Sequence, residues 1–102
     1  MSDQQVTIKV ESAPGSTTIF IAGELDLVTR PALAEELARI PREPPGQLVF
    51  DLAGTTFADL GSARLLARAG PPGCPPVIRH PRPGVRRILE LTGLDAYCEI
   101  QP

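Results

Sequence analysis

The sequence predicts an α/β fold, a single domain with a mixed β-sheet of four to five strands and helices packed against it. Segments typical of strands and helices follow one another in the order strand, strand, helix, strand, helix, strand, helix, which places helical cover on a sheet. The two opening strands are joined by a short connection and should therefore pair antiparallel within the otherwise parallel sheet. With 102 residues, 42% of them hydrophobic, the chain has room for one such domain, over residues 1–102.

The first two strands are predicted to form a hairpin. Val6–Val10 alternates apolar and polar residues, which is typical of a strand with one buried face. Thr17–Ala22 is rich in β-branched and aromatic residues, and a turn at Pro14-Gly15 should bring it back through a loop of several residues. Gly23 is expected to end this second strand.

The middle of the chain predicts two helices with a strand between them. The Thr29 hydroxyl is expected to cap a helix that continues to Ile40. Gln47–Leu52 is a nearly continuous apolar run, typical of a central strand covered on both faces. Asp59 is expected to cap a second helix over Leu60–Ala69.

The last third predicts a strand and a helix, followed by an ambiguous segment. Val77-Ile78 is expected to be a brief strand, and Pro83 suits the first turn of a helix. Gly93 follows the last apolar turn of that helix and is predicted to be its left-handed stop. Tyr97–Ile100 fits either an edge strand or irregular structure.

Composition restricts the environment and the class of partner. The formal charge is −2, and residues 1–51 carry 4 basic and 8 acidic groups. This acidic N-terminal half either binds a protein with a basic patch or carries ordinary scattered surface charge. Residues 1–5 have no basic start, and no eighteen apolar residues follow one another, so we expect no signal peptide and no membrane span. Cys74 and Cys98 lack a CxxC partner and fit reduced thiols of a cytoplasmic protein, with a redox-controlled disulfide as the alternative.

No motif indicates catalysis, a cofactor or a metal. His80 is the only histidine, and Ser62 lacks the Gly-x-Ser-x-Gly frame of a nucleophile elbow. Neither a Walker A motif nor GxGxxG occurs, so we expect no nucleotide cofactor. With few aromatic residues and a mildly acidic chain, direct nucleic-acid binding is not expected either.

Two strand-to-helix junctions are predicted to frame a recognition surface. One is Ile21–Leu33, in which a strand passes into an acidic corner and then a helix. The other is Val49–Ala63, in which Thr55 and Thr56 are expected to be loop residues with local hydrogen bonds.

Three stretches in this order resemble a known family. They are Gly23–Leu27 with Pro31–Leu33, Phe50–Leu52 with Asp59, and Val85–Asp95. Together they resemble the anti-sigma factor antagonists of the STAS domain family, which are small bacterial regulators of transcription. The resemblance implies a protein partner, an anti-sigma factor that is often a serine kinase, and a monomer or weak dimer that works by partner switching.

The resemblance also implies site residues. The family's phosphoacceptor is the second Ser of an Asp-Ser-Ser-Gly motif at a helix start. In this chain Asp59 keeps its place, Leu60 and Gly61 occupy the serine positions, and Ser62 stands where the family has Gly. Ser62 is therefore a possible phosphosite, with a solvated first-turn serine as the alternative.

The acidic corner follows the family more faithfully. Relatives use it, together with the phosphosite loop, to dock the anti-sigma factor. Glu24 and Asp26 are therefore predicted to contact a partner, along with Asp59, Leu60, Gly61 and Ser62. The alternative is that Glu24 is only solvated and that Asp26 only supports the helix that follows. The missing acceptor leaves a second function open, that of a constitutive STAS subunit in a transporter ATPase or a stress scaffold.

Overall fold

The fold is built on one mixed sheet. A computed structural model describes residues 6–40, 46–71 and 73–102, and within them five strands lie in the order β1-β2-β3-β4-β5. The strands are β1 Val6–Ala13, β2 Ser16–Leu25, β3 Gln47–Ala58, β4 Val77–Arg79 and β5 Glu99–Gln101; the helices are α1 Arg30–Ala38, α2 Leu60–Ala67 and α3 Pro83–Leu91, with a 3₁₀ turn at Leu94–Tyr97.

Strand directions confirm the predicted mixed sheet. β1 and β2 pair antiparallel, whereas β2 with β3, β3 with β4 and β4 with β5 pair parallel. Each parallel pair is joined through a helix, and right-handed crossovers in this sequential order place all three helices on one face. The ambiguous C-terminal segment forms the edge strand β5, in which Ile100 lies opposite Ile78.

The core lies between the sheet and the three helices. Leu33 of α1, Leu66 of α2 and Leu89 of α3 are fully buried and pack in one cluster with Phe50 and Ile78 of the sheet. Burying a large aliphatic or aromatic side chain of this kind contributes roughly 1.5–3 kcal/mol. This cluster holds all three helices against one face of the sheet.

The prediction that the central strand is covered on both faces is confirmed by its burial, but helices cover only one of those faces. On the face opposite the core, Asp51 of β3 accepts a hydrogen bond from Arg79 Nε at 3.0 Å. The Arg79 guanidinium lies 5.8 Å from the centre of the Phe20 ring. Side chains of neighbouring strands therefore cover this face of the sheet, and the apolar run of β3 reflects that cross-strand packing.

The second and third strands are longer than predicted, because both continue past glycines. Gly23 does not end β2; its φ of 112° lies beside a register shift, and the strand runs to Leu25. Thr55 and Thr56 are strand residues, which corrects their assignment to a loop. Thr55 is fully buried and donates through Oγ1 to the Ile21 carbonyl at 2.7 Å, and Thr56 Oγ1 donates to the Gly23 carbonyl. The register shifts interrupt the regular backbone hydrogen bonds between β2 and β3. The two threonine hydroxyls donate to carbonyl groups that lie next to these shifts.

The turns and helix ends differ from the predictions by small amounts. The first hairpin turn has two residues, Pro14 and Gly15, instead of several. α1 ends at Ala38 and α2 at Ala67, each two residues early, whereas α3 begins at Pro83 as predicted. Gly93 adopts the predicted left-handed conformation, with φ 75°. The prolines that follow this helix in the sequence, Pro41, Pro44 and Pro45, lie outside the described part of the chain.

The cysteines and helix lengths bear on two further expectations. Cys74 and Cys98 are unpaired, which confirms the prediction of free thiols. Burial, reinforced by the negative charge of Asp95, raises the pKa of the Cys98 thiol, so it is less reactive than an exposed thiol. Across the described ranges, the helices fall short of the length and hydrophobicity needed to traverse a bilayer.

Candidate protein-binding surface

The two strand-to-helix junctions lie side by side at one edge of the sheet. β2 and β3 are parallel neighbours, with Glu24 opposite Phe57 and Leu25 opposite Ala58 in their last paired positions. The Asp59 amide donates to the Leu25 carbonyl at 2.9 Å, which ties the second junction to the first. The acidic corner and the start of α2 are therefore neighbours at the carboxyl ends of the parallel strands, a location where α/β folds commonly bind other molecules.

Asp26 organises the loop between β2 and α1. Its Oδ1 accepts hydrogen bonds from the amides of Val28 and Thr29, each at 3.0 Å. The Thr29 hydroxyl donates to the Glu24 carbonyl at 2.7 Å and accepts from the Asp26 amide at 3.0 Å. Thr29 occupies the predicted N-cap position, but its hydroxyl makes no cap hydrogen bond, because these loop groups already use it.

Asp59 caps α2 and is held by Arg30 from the neighbouring junction. Its Oδ1 accepts from the Ser62 amide at 2.8 Å, which confirms the predicted cap. Arg30 Nη2 donates to both carboxylate oxygens of Asp59, at 3.0 and 2.9 Å, and Arg30 Nε donates to Ser62 Oγ at 3.3 Å. We call Arg30, Asp59 and Ser62 the clamp, because it joins the start of α1 to the start of α2.

The clamp keeps the Asp59 carboxylate charged. Burial raises the pKa of Asp59, but hydrogen bonds from Ser62 and from Arg30, with the positive charge of Arg30, outweigh burial and hold the pKa below its usual value of 3.8. Both side chains of the ion pair are 30% exposed. The carboxylate is thus a fixed negative charge at this edge at neutral pH.

Ser62 and Gly61 lie beneath the Arg30 side chain. Ser62 is 0% exposed, so the prediction of a solvated serine is wrong. A β-carbon built on Gly61 would lie 2.5 Å from Arg30 Nη2 and 2.6 Å from Cζ. The Arg30 guanidinium therefore fills the space above Gly61, and a side chain at this position would have to displace it.

An apolar patch surrounds these polar groups and was missed by the sequence analysis, apart from Leu60. Its four members are exposed large hydrophobic residues: Leu27 at 74%, Val28 at 82%, Phe57 at 50% and Leu60 at 41%. Leu27 and Val28 form the tip of the loop that Asp26 organises, Phe57 is the last residue but one of β3, and Leu60 begins α2. The available signal was the pair of adjacent aliphatic residues Leu27 and Val28 between a predicted strand and a predicted helix, since contiguous exposed apolar groups mark interaction sites.

The patch has an acidic border. Glu24 is exposed on β2 opposite Phe57, and the partly exposed carboxylates of Asp26 and Asp59 lie at the two helix entries. Apolar groups bordered by charge are typical of protein-binding surfaces. The predicted site residues Glu24, Asp26, Asp59 and Leu60 therefore share one edge, with Gly61 and Ser62 below Arg30.

The place of Arg30 above Gly61 gives the first testable prediction. Alanine is a better helix former than glycine by up to about 1 kcal/mol, so Gly61→Ala should stabilise a helix that has free space. In this protein we expect Gly61→Ala to lower the free energy of unfolding, because the new methyl group displaces the guanidinium from Asp59. In an Arg30→Ala background the same substitution should raise it.

Urea denaturation of the four proteins in this double-mutant cycle measures the effect. If Gly61→Ala changed the free energy of unfolding by the same amount and in the same direction in both backgrounds, Arg30 would not occupy this space.

These features define a class of protein: a single-sheet α/β domain in which four exposed large hydrophobic residues and two hydrogen-bonded carboxylates lie together at the carboxyl ends of two parallel strands. The family model described as Mlab, STAS domain matches residues 8–102. The chain belongs to the STAS domain family, as its sequence motifs indicated.

Curated relatives and solved structures agree with this membership. The anti-sigma-F factor antagonist RsfB of Mycobacterium tuberculosis is 32% identical over 62 residues, which cover 61% of this chain and 51% of that protein. The chain therefore spans about half the length of the curated relative it matches.

Two solved structures are similar over most of the chain. The crystal structure of an anti-sigma factor antagonist from Mycobacterium paratuberculosis superposes with a TM-score of 0.83 at 29% identity, covering 95% of this chain and 86% of that one. The anti-sigma factor antagonist SpoIIAA in its unphosphorylated form gives a TM-score of 0.62 at 17% identity, covering 94% and 89%. The second likeness concerns the fold alone.

Proposed function

We propose that this chain is a bacterial anti-sigma factor antagonist, a cytoplasmic protein that binds an anti-sigma factor and thereby frees a sigma factor for transcription. The single observation that carries the proposal is the apolar patch with its acidic border at the edge where the two junctions meet. The names of the similar mycobacterial proteins give the partner class. The role is binding without catalysis.

The patch supports a protein partner by its chemistry. Leu27, Val28, Phe57 and Leu60 offer apolar area that a partner would remove from water, at roughly 25 cal/mol per Å² before the costs of association. Glu24 and Asp26 would meet basic groups on the partner and favour the correct orientation. We propose that Asp26 acts mainly by fixing the loop tip, since its Oδ1 already accepts hydrogen bonds from that loop.

Burial argues against phosphorylation as the switch. Gly61 has no hydroxyl, and the Ser62 hydroxyl is buried beneath Arg30 Nε. A kinase would have to open the clamp before it reached Ser62, and the added phosphate would lie against Asp59. The possible phosphorylation of Ser62 stays an untested prediction. We propose the opposite, that Ser62 is not phosphorylated and that the antagonist is permanently in its binding state.

The same observation favours a second candidate function. A STAS domain without an accessible acceptor suits a constitutive subunit of a larger complex, such as a transporter ATPase or a stress scaffold. Such a subunit would use the same edge to hold a permanent partner. The two functions differ in the partner that the surface selects.

Affinity capture from the source bacterium, followed by calorimetry with the purified partner, tests the proposal. We expect an anti-sigma factor in the captured fraction, bound directly by the purified chain, with no mass gain of the chain in the presence of ATP. Recovery of a transporter ATPase or scaffold protein in place of any anti-sigma factor would contradict the proposal and support the constitutive subunit. A mass gain on Ser62 would contradict the permanent binding state.

A further inference from the structure

The long edge strand β1 presents a free backbone edge. β1 has eight residues and pairs only with β2 among the described strands, whereas the opposite edge strand β5 has three. Its residues from Lys9 to Ala13 are all exposed, including Val10 at 38%. A long edge strand of this kind is a template for pairing with another strand.

The hairpin register determines which backbone groups point outward. Ala13 and Ser16 flank the two-residue turn and form its closing hydrogen-bonded pair. Hydrogen-bonded and non-hydrogen-bonded pairs alternate along an antiparallel ladder, so Glu11 and Lys9 also direct their amides to β2. The amides and carbonyls of Ile8, Val10 and Ser12 therefore face away from the sheet.

Charge selects one register for a symmetric pairing of two β1 strands. With Val10 opposite the partner's Val10, the outward groups of both strands meet, and Lys9 lies opposite the partner's Glu11. Twofold symmetry repeats this contact, so charges of opposite sign are neighbours both along and across the strands. Within one chain, Lys9 Nζ already lies 3.3 Å from Glu11 Oε2, with 70% and 56% of the side chains exposed.

The neighbouring registers that satisfy the same backbone groups are disfavoured. A shift in one direction puts Lys9 opposite the partner's Lys9, and a shift in the other puts Glu11 opposite the partner's Glu11. Like charges directly opposite on adjacent strands are destabilising, while opposite charges stabilise the pair. The sequence of β1 is thus self-complementary at the Val10 register.

We propose that two copies of this chain associate through β1, antiparallel and centred on Val10, so that their sheets become one continuous sheet. The interface is isologous and closes after two copies. It uses the β1 side of the sheet and leaves exposed the apolar patch at the ends of β2 and β3. The inference is therefore independent of the function proposed for that patch.

Charge-reversal variants test the register by sedimentation velocity over a range of protein concentrations. Lys9→Glu makes all four interface charges negative and Glu11→Lys makes them all positive, so we expect the dimer dissociation constant of each to rise roughly tenfold or more. The double variant restores alternating charges and should dimerise like the unmodified chain. An equimolar mixture of the two single variants should form heterodimers, because each positive residue then faces a negative one.

Three results would overturn the proposal: an unmodified chain that stays monomeric at its solubility limit, a dimer unaffected by either reversal, or single variants that stay apart when mixed. Circular dichroism of each variant verifies that the domain is still folded.

Discussion

Leu27→Asp is expected to weaken partner binding about thirty-fold, which corresponds to roughly 2 kcal/mol, the size typical of a residue at the centre of an interface. Leu27 is 74% exposed at the tip of the loop that Asp26 fixes. The substitution places an unpaired carboxylate where the proposed partner would bury apolar surface, and it adds negative charge to the loop that follows Glu24. Calorimetric titration with the purified anti-sigma factor measures the change.

The chain contains a matched control for this variant. Leu91 at the end of α3 is 73% exposed, so Leu91→Asp makes the same chemical change at the same exposure. A crossover helix begins at the carboxyl ends of the strands and ends at their amino ends, so Leu91 lies at the opposite edge from the apolar patch. We expect Leu91→Asp to bind normally and both variants to keep their stability within about 0.5 kcal/mol. Equal losses of affinity would contradict the assignment of the surface.

Asp59→Ala is expected to lower the free energy of unfolding by about 2 kcal/mol, the largest stability effect we predict at the site. The variant loses the α2 cap on the Ser62 amide and both hydrogen bonds from Arg30 Nη2. It also leaves a partly buried guanidinium without its carboxylate. Urea denaturation at neutral pH measures the loss, and a change below about 0.5 kcal/mol would show that the clamp contributes little.

Asp59→Asn separates the cap from the charge. Asparagine caps a helix about as well as aspartate, so this variant should lose less than Asp59→Ala. Because the folded-state pKa of Asp59 is below 3.8, the charge contributes its full stability above pH 3.8, and that contribution is lost as the pH falls through the folded-state value. The advantage of the unmodified chain over Asp59→Asn should therefore disappear in acid; an advantage independent of pH would exclude the charge as its source.

Local sequence patterns predicted most of the fold. The alternation in β1, the apolar run in β3 and the proline at the start of α3 each specify an element by short-range physics, and all three elements formed. Errors arose where tertiary pairing overrides a local signal. Gly23 looked like a strand end, but pairing with β3 carries β2 to Leu25, and Thr55 is a strand residue because its hydroxyl reaches the Ile21 carbonyl.

The sequence predicted that the two junctions frame one surface, but it missed the contact between them. The parallel pairing of β2 with β3 brings the two junctions together. No sequence pattern links Arg30 to Asp59, since they are far apart along the chain and meet only because α1 and α2 begin at neighbouring strand ends. The burial of Ser62 follows from that same contact and could not be deduced from its place in a first helical turn.

The clamp connects the structure to the proposed mode of action. Arg30 occupies the space above Gly61 that an acceptor side chain would need, and it holds the start of α2 against α1. A surface fixed in this way loses little conformational freedom on binding, which favours affinity without a switch. Where the family's acceptor motif has a serine side chain, this chain therefore has Gly61 covered by the Arg30 guanidinium.

The most direct test is an NMR titration of the isotopically labelled chain with the purified anti-sigma factor, following backbone amides and side-chain methyl groups. We expect the largest changes at Leu27, Val28, Phe57 and Leu60, with the Leu91 methyl signals unchanged. Perturbations confined to the opposite edge, around Leu91, with the apolar patch unaffected, would contradict the claim that this patch binds the partner.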